Sequence, residues 1–135
     1  MPGELTGKTL LLVDDDRDIL TAMKAALEEL GPSIFTATNG DEALIQAQEH
    51  NPDLVVLDMM LPKRSGFLVM ENIKKNKKRT DPPRVIMITG NQGSRHKTYA
   101  ESLGVDVYLN KPFRMERLLE SIKKLLGAEP APKPA

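Results

Sequence analysis

The chain has 135 residues, of which 40% are hydrophobic and 28% are charged, so it can form one domain with a hydrophobic core but not two. Its 19 basic side chains balance 19 acidic ones, and this neutrality gives no bulk charge for binding nucleic acid or an anionic membrane. It has no cysteine, no apolar run long enough to span a membrane and no secretory signal at its N-terminus, so we expect a cytoplasmic protein without disulfides.

Short apolar runs alternate with helix-like segments along the chain. Five runs are expected to be strands, and they occupy residues 8–13, 33–37, 54–57, 84–88 and 105–109. Continuous apolar runs of this length are typical of strands that are covered on both faces, as in a parallel sheet.

Apolar residues at three-to-four spacing predict a helix after each strand. Asp15 or Asp16 is placed to cap the first helix, and the second follows the turn residues Asn39-Gly40. Gly66 opens the third, the fourth is weakly patterned, and the last has the strongest apolar face, formed by Met115, Leu118, Leu119, Ile122, Leu125 and Leu126. Five repeats of strand and helix imply an α/β protein with a parallel sheet, right-handed crossovers and helices on both faces.

The domain is expected at residues 8–127, between an N-terminal extension at residues 1–7 and a Pro-rich tail at residues 128–135. The tail is either a disordered end or the stub of a linker. Residues 74–79 contain five basic side chains, and a solvated helix end explains them better than a patch that binds phosphate. His50 and His96 have no partner at metal-ligand spacing, so we expect both to face solvent.

Polar side chains follow four of the predicted strands. Asp14 and Asp15 come after the first strand, Asp58 after the third, Thr89 after the fourth and Lys111 after the fifth. Because the carboxyl ends of parallel strands share one edge of the sheet, we expect these residues to converge there. Three carboxylates in one place call for a cation, and hard oxygen ligands favour Mg²⁺. A carboxylate nucleophile beside a metal, a hydroxyl and an ammonium is typical of phosphoryl transfer.

The same residues lie in short motifs that occur in order along almost the whole chain. The motifs are Leu12-Val13-Asp14-Asp15-Asp16, Val56-Leu57-Asp58-Met59-Met60-Leu61-Pro62, Ser65-Gly66, Met87-Ile88-Thr89-Gly90 and Tyr108-Leu109-Asn110-Lys111-Pro112-Phe113. This set resembles the receiver domain of two-component response regulators, over about residues 8–126. The resemblance implies a flavodoxin-like (βα)5 fold, with a doubly wound parallel five-stranded sheet in the strand order 2-1-3-4-5.

The resemblance also implies a role for each acid. Asp58 would accept a phosphoryl group from the phosphohistidine of a sensor histidine kinase or a phosphotransfer protein. Asp14 and Asp15 would hold Mg²⁺, together with the Asp58 carboxylate and the main-chain carbonyl of Met60.

Three further residues of the motifs would respond to the phosphoryl group. Thr89 would bond one of its oxygens, and Lys111 would pair with it beside a cis Lys111–Pro112 bond. Tyr108 would be an aromatic switch that controls a downstream protein partner at the face made by the fourth helix, fifth strand and fifth helix. Formation of a homodimer on phosphorylation is a further expectation. Direct contact with nucleic acid or membrane is not expected.

Met60 and Asn91 would flank the path of a water that attacks the phosphoryl group. Met60 can only shield the site, because a thioether is a poor hydrogen-bond acceptor, while Asn91 can hydrogen-bond water but carries no charge. The resemblance therefore implies no enzymatic activity beyond self-phosphorylation and slow autodephosphorylation.

Three alternatives use the same residues differently. In a phosphatase of the haloacid-dehalogenase type, Asp14 would be the nucleophile and Asp16 the general acid, but Asp18 stands where threonine or valine is expected. A nucleotide-binding flavodoxin-like protein would need a glycine-rich phosphate loop, which the sequence lacks. A pseudo-receiver that binds partners without phosphorylation would not need the acids together with Thr89 and Lys111.

Overall fold

The computed structural model describes residues 3–63, 65–78, 80–90 and 94–127, with residues 94–96 described by their backbone alone. The strands are β1 (Thr9–Val13), β2 (Ser33–Ala37), β3 (Leu54–Asp58), β4 (Arg84–Thr89) and β5 (Val107–Asn110). The helices are α1 (Arg17–Glu28), α2 (Gly40–His50), α3 (Gly66–Ile73), α4 (Ser94–Ser102) and α5 (Met115–Leu125). All strand pairs are parallel in the order β2-β1-β3-β4-β5, which confirms the predicted flavodoxin-like (βα)5 fold.

Two hydrophobic layers enclose the sheet because successive side chains of a strand point to opposite faces. Leu10 and Leu12 of β1 pack in the layer that also holds the buried residues of α1 and α5. Leu11 and Val13 pack in the other layer, with buried residues of α2, α3 and α4. The strands are therefore covered on both faces, as their continuous apolar sequences predict.

Local polar contacts start the first three helices. Asp16 Oδ1 accepts the main-chain N–H groups of Asp18 (2.9 Å) and Ile19 (3.3 Å), so Asp16 rather than Asp15 caps α1. Asn39 caps α2 by accepting from the Glu42 N–H, and Ser65 caps α3 in the same way. Asn39-Gly40 is thus the beginning of α2 rather than a separate turn.

The basic run after α3 differs from its prediction. α3 ends at Ile73, and Lys74 is buried, with its ammonium donating to the main-chain oxygens of Asp81 (2.6 Å) and Pro83 (3.1 Å). Burial lowers the pKa of Lys74, while Asp106 and Asp81 oppose that change. A solvated helix end was therefore the wrong interpretation of Lys74, although Lys75 and Lys77 are exposed.

Two further segments lie closer to the core than their sequence indicates. The prediction that His50 faces solvent holds only in part, because its side chain is 31% exposed while its ring stacks on Phe35 at a centroid distance of 3.6 Å. Leu5 is fully buried in the α1–α5 layer, and its N–H donates to the Leu30 carbonyl at 2.8 Å. The side chain of His96 and the tail at residues 128–135 lie outside the described residues. In the described part of the chain, every helix is too short or too polar to cross a membrane.

Candidate functional site

The carboxyl edge of the sheet, where the strands end, gathers the acids predicted from the sequence. Asp14 follows the last residue of β1 and Asp58 is the last residue of β3, and only 1% and 3% of their surfaces are exposed. Asp15 is exposed at the same edge. One carboxylate oxygen from each of the three residues lies within 4.8 Å of the other two. The sheet topology thus brings together side chains that lie far apart in the sequence.

Main-chain donors orient the two buried carboxylates. Asp14 Oδ1 accepts the N–H of Asp16 at 2.9 Å, and Asp58 Oδ1 accepts the N–H of Met60 at 3.0 Å. The second oxygen of each carboxylate, Oδ2, lies near the ammonium of Lys111. Asp14 and Asp58 are therefore held in fixed orientations by the turns that follow β1 and β3.

Lys111 reaches these carboxylates from the loop after β5. Its ammonium lies 2.9 Å from Asp14 Oδ2 and 3.3 Å from Asp58 Oδ2. Its main-chain N–H donates to the Thr89 carbonyl at 2.8 Å, which ties the loop to the end of β4. The Lys111–Pro112 peptide bond is cis, as predicted. Thr89 itself is fully buried at the end of β4.

Burial and charge oppose each other at this site. Burial raises the pKa of Asp58 and the negative charge of Asp14 raises it further, whereas the Met60 N–H and Lys111 act in the opposite direction. Burial also disfavours the charged form of Lys111, but Asp14 and Asp58 outweigh that effect and raise the pKa of its ammonium. The acid cluster is thus only partly neutralised by one lysine.

The residues fit a hard divalent cation. Among the described residues, the buried Oδ2 of Asp14 has no well-directed hydrogen-bond partner, despite its close approach to Lys111. Three carboxylate oxygens at this spacing offer the ligand type that Mg²⁺ prefers, and the exposed Asp15 leaves one side open to water.

Gly66 has a role that sequence reasoning missed. A Cβ atom at this position would collide with the main-chain oxygen of Asp58 and lie 2.7 Å from the Met59 Cα. The Gly66 N–H also donates to the Met59 carbonyl at 2.9 Å. The first turn of α3 can therefore approach the backbone of Asp58 and Met59 this closely only with glycine at position 66. This constraint follows from the three-dimensional contact and has no signal in the local sequence.

The remaining predicted residues lie around this centre. Met60 is 62% exposed beside Asp58, and Tyr108 lies partly buried in the layer formed by α2, α3 and α4. Burial raises the pKa of Tyr108, whose buried hydroxyl has no hydrogen-bond partner within the described ranges. Asn91 falls outside the described residues.

A family model described as the response regulator receiver domain matches residues 10–123. The chain belongs to this family. The receiver domain is a signalling domain of two-component systems rather than a conventional enzyme. The resemblance inferred from the sequence motifs is thereby confirmed, and the phosphatase and nucleotide-binding alternatives are not favoured.

The chain is similar both to longer transcriptional regulators and to a protein of about its own length. It is 35% identical over 119 residues to the alkaline phosphatase synthesis transcriptional regulatory protein PhoP of Bacillus subtilis, covering 88% of this chain and 48% of PhoP. It is 31% identical over 123 residues to protein PilG of Pseudomonas aeruginosa, covering 91% of this chain and 90% of PilG. The chain thus spans about half the length of PhoP and of the other transcriptional regulators that it matches.

Solved structures show the same fold. A CheY-like receiver domain from Methanospirillum hungatei superimposes with a TM-score of 0.81 at 31% identity, covering 90% of this chain and 95% of that one. Chemotaxis protein CheY4 of Vibrio cholerae gives a TM-score of 0.78 at 26% identity, covering 87% of this chain and 98% of CheY4.

Proposed function

We propose that Asp58 is the phosphoacceptor of this receiver domain and that it takes the phosphoryl group of a phosphohistidine. The observation that carries the proposal is the position of the Asp58 carboxylate, buried at the carboxyl edge between Asp14 and Lys111. An Asp58 oxygen forms the new bond to phosphorus while the bond from phosphorus to the donor nitrogen breaks; the electron pair of that bond returns to the nitrogen, and the histidine leaves as neutral imidazole with the proton already on its other ring nitrogen.

The neighbours of Asp58 supply binding and charge. The Met60 N–H fixes Asp58 Oδ1, so that its second oxygen is presented to the donor. Lys111 is close enough to Asp58 to follow the incoming group, and Thr89 ends the neighbouring strand. Asp14, Asp15, Asp58 and the main-chain carbonyl of Met60 would hold Mg²⁺, which offsets the negative charge of the phosphoryl oxygens.

A donor protein must reach the same edge. A cavity of about 460 Å³ beside Lys111 is lined by Ile19, Ala22, Lys111, Pro112, Phe113 and Met115. Its apolar lining between α1 and α5 suits the apolar side chains of a protein surface, and it adjoins the ammonium that contacts Asp58. We infer that the histidine kinase or phosphotransfer protein docks there.

The output of the domain is also a proposal. Tyr108 on β5 lies against the layer that contains α4, so a change at Thr89 can be relayed to the face formed by α4, β5 and α5. We propose that this face binds a downstream protein or a second copy of the chain after phosphorylation. A cytoplasmic location fits this role.

Labelling of the intact protein tests the proposal. Acetyl phosphate with Mg²⁺ should add one phosphoryl group, detected by intact mass, and peptide mapping should place it on Asp58. Asp58→Asn should abolish the addition, whereas the exposed control Asp18→Asn should retain it. Labelling that persists in Asp58→Asn, or phosphatase activity that is lost in Asp14→Asn but kept in Asp58→Asn, would contradict the assignment.

A further inference from the structure

One side chain joins α4 to α3. The ring of Tyr99 on α4 meets the ring of Phe67 on α3 edge to face, with centroids 4.9 Å apart and an interplanar angle of 77°. The Tyr99 hydroxyl donates a hydrogen bond of 3.2 Å to Glu71 Oε1. Phe67 and Glu71 are four residues apart and share one side of α3, so Tyr99 spans a full turn of that helix.

The two helices are anchored to different extents. α3 begins with Gly66 against the Asp58 segment and is followed by Lys74, whose ammonium is bound to main-chain oxygens of the loop before β4. In α4, where side chains are described from Lys97 to Ser102, only Ala100 is buried. α3 therefore forms a fixed support, and Tyr99 is a principal side-chain attachment of α4 to it.

The position of α4 in the chain connects it to the site. It begins at Ser94, five residues after Thr89, and leads into β5, which carries Tyr108 and precedes Lys111. A shift of Thr89 toward a phosphoryl group would pull on the start of α4. α4 can follow only if its contacts with α3 change.

Building on the function proposed above, we propose that Tyr99 is a latch. Its contacts with Phe67 and Glu71 hold α4 against α3 in the unphosphorylated domain and set how readily the domain reaches its phosphorylated form. The hydrogen bond is long and exposed at 3.2 Å, but together with the edge-to-face ring contact it is sufficient to bias α4. It is also exposed enough to open, since Tyr99 is 45% exposed. The bond to Glu71 raises the pKa of the Tyr99 hydroxyl, as expected for a hydroxyl that donates to a carboxylate.

Amide exchange with and without the hydroxyl tests the latch. Tyr99→Phe keeps the ring and removes the hydrogen bond, and we expect exchange of the α4 amides to quicken about two- to fivefold. Tyr99→Ala also removes the aromatic contact, so exchange should quicken about tenfold. α5 serves as an internal reference that should not change. If loss of the Tyr99 contacts favours the same position of α4 as phosphorylation does, acetyl phosphate and Mg²⁺ should also label Asp58 faster in these variants. The increase in labelling rate should be at most as large as the increase in α4 exchange.

Matched variants separate the latch from general loosening of α4. Glu71→Ala should quicken exchange of the α4 amides as much as Tyr99→Phe does. The variant with both substitutions should exchange no faster than either single variant, because both changes remove the same hydrogen bond. Glu101→Gln removes an exposed charge from α4 without touching the contact and should behave as wild type.

The outcomes distinguish this inference from the proposed function. The latch would be overturned, even if Asp58 is the acceptor, by either of two results. One is that the α4 amides of Tyr99→Phe exchange at the wild-type rate; the other is that they exchange faster while Asp58 is labelled at the wild-type rate. If wild-type Asp58 is not labelled at all, the proposed function fails, while a change in α4 exchange would still show that Tyr99 holds the two helices together.

Discussion

Replacing Asp58 with asparagine should stabilise the metal-free protein, although it destroys the proposed phosphoacceptor. The Asp58 and Asp14 carboxylates approach within 4.8 Å, and two unit charges at that distance repel by about 3.5 kcal/mol at an effective dielectric constant of about 20. Lys111, at 3.3 Å from Asp58, attracts it by about 5 kcal/mol on the same scale. With a smaller repulsion from the exposed Asp15, attraction and repulsion nearly cancel, and the cost of burying the Asp58 charge remains.

Asparagine avoids most of that cost and keeps the useful contacts. Its amide oxygen can accept the Met60 N–H, and Lys111 retains Asp14 at 2.9 Å. We therefore expect Asp58→Asn to raise the free energy of unfolding by about 1–2 kcal/mol in EDTA, or to shift the urea midpoint upward by about 0.5–1 M. The expected rise in the free energy of unfolding agrees in sign with the raised pKa of Asp58, because both reflect a carboxylate whose charged form is disfavoured in the folded protein.

Adding Mg²⁺ should narrow or close this difference in stability. A cation held partly by Asp58 stabilises the wild type by about 1.4 kcal/mol at ten times its dissociation constant, and the variant should gain much less. Asp53→Asn is a matched control at the opposite edge of the sheet, where Asp53 Oδ2 accepts the Thr9 N–H, and it should show neither effect. The reasoning is refuted if Asp58→Asn unfolds at the same or lower urea concentration than wild type in EDTA, or if Mg²⁺ stabilises both equally.

Three other perturbations test separate parts of the structure. Lys74→Met should lower the free energy of unfolding in urea by about 2–4 kcal/mol, because one buried and one partly buried carbonyl lose their donor, whereas the exposed Lys75→Met should cost little. Gly66→Ala should slow acetyl phosphate labelling of Asp58 by displacing its backbone, and equal labelling would show that the segment yields without effect on the site. Met60→Asn combined with Asn91→Glu should speed loss of the phosphoryl group once the donor is removed, since both new side chains can orient water; an unchanged decay rate would mean that these positions do not govern it.

The α/β class and the acid cluster were predictable because each depends on local patterns and one topological rule, whereas the strand order came from the resemblance to receiver domains. Apolar runs of strand length define the sheet, and parallel strands place Asp14 and Asp58 at a common edge whatever their separation in sequence. A cap on the first helix was similarly predictable from local sequence, although only the structure decides for Asp16 over Asp15.

Contacts between different segments of the chain were not predictable from the sequence. Lys74 stands in a run of basic residues that indicates solvent, but its partners are main-chain oxygens that carry no sequence signal. His50 has no metal-ligand partner, yet it stacks on Phe35, which belongs to an earlier strand. The need for glycine at position 66 appears only when the Asp58 carbonyl is placed against it.

The unequal anchoring of α3 and α4 indicates where a change at Asp58 can travel. At its first turn, α3 packs directly against the backbone of Asp58 and Met59, so a small shift of the helix there would cause a steric clash. After its last turn, the buried ammonium of Lys74 holds the chain to the loop before β4. Packed elements of this kind resist gradual deformation. α4 is attached to that support through the half-exposed Tyr99, and it begins five residues after Thr89. Free energy released at the site is therefore expected to move α4, because breaking one exposed hydrogen bond and one ring contact costs less than displacing α3.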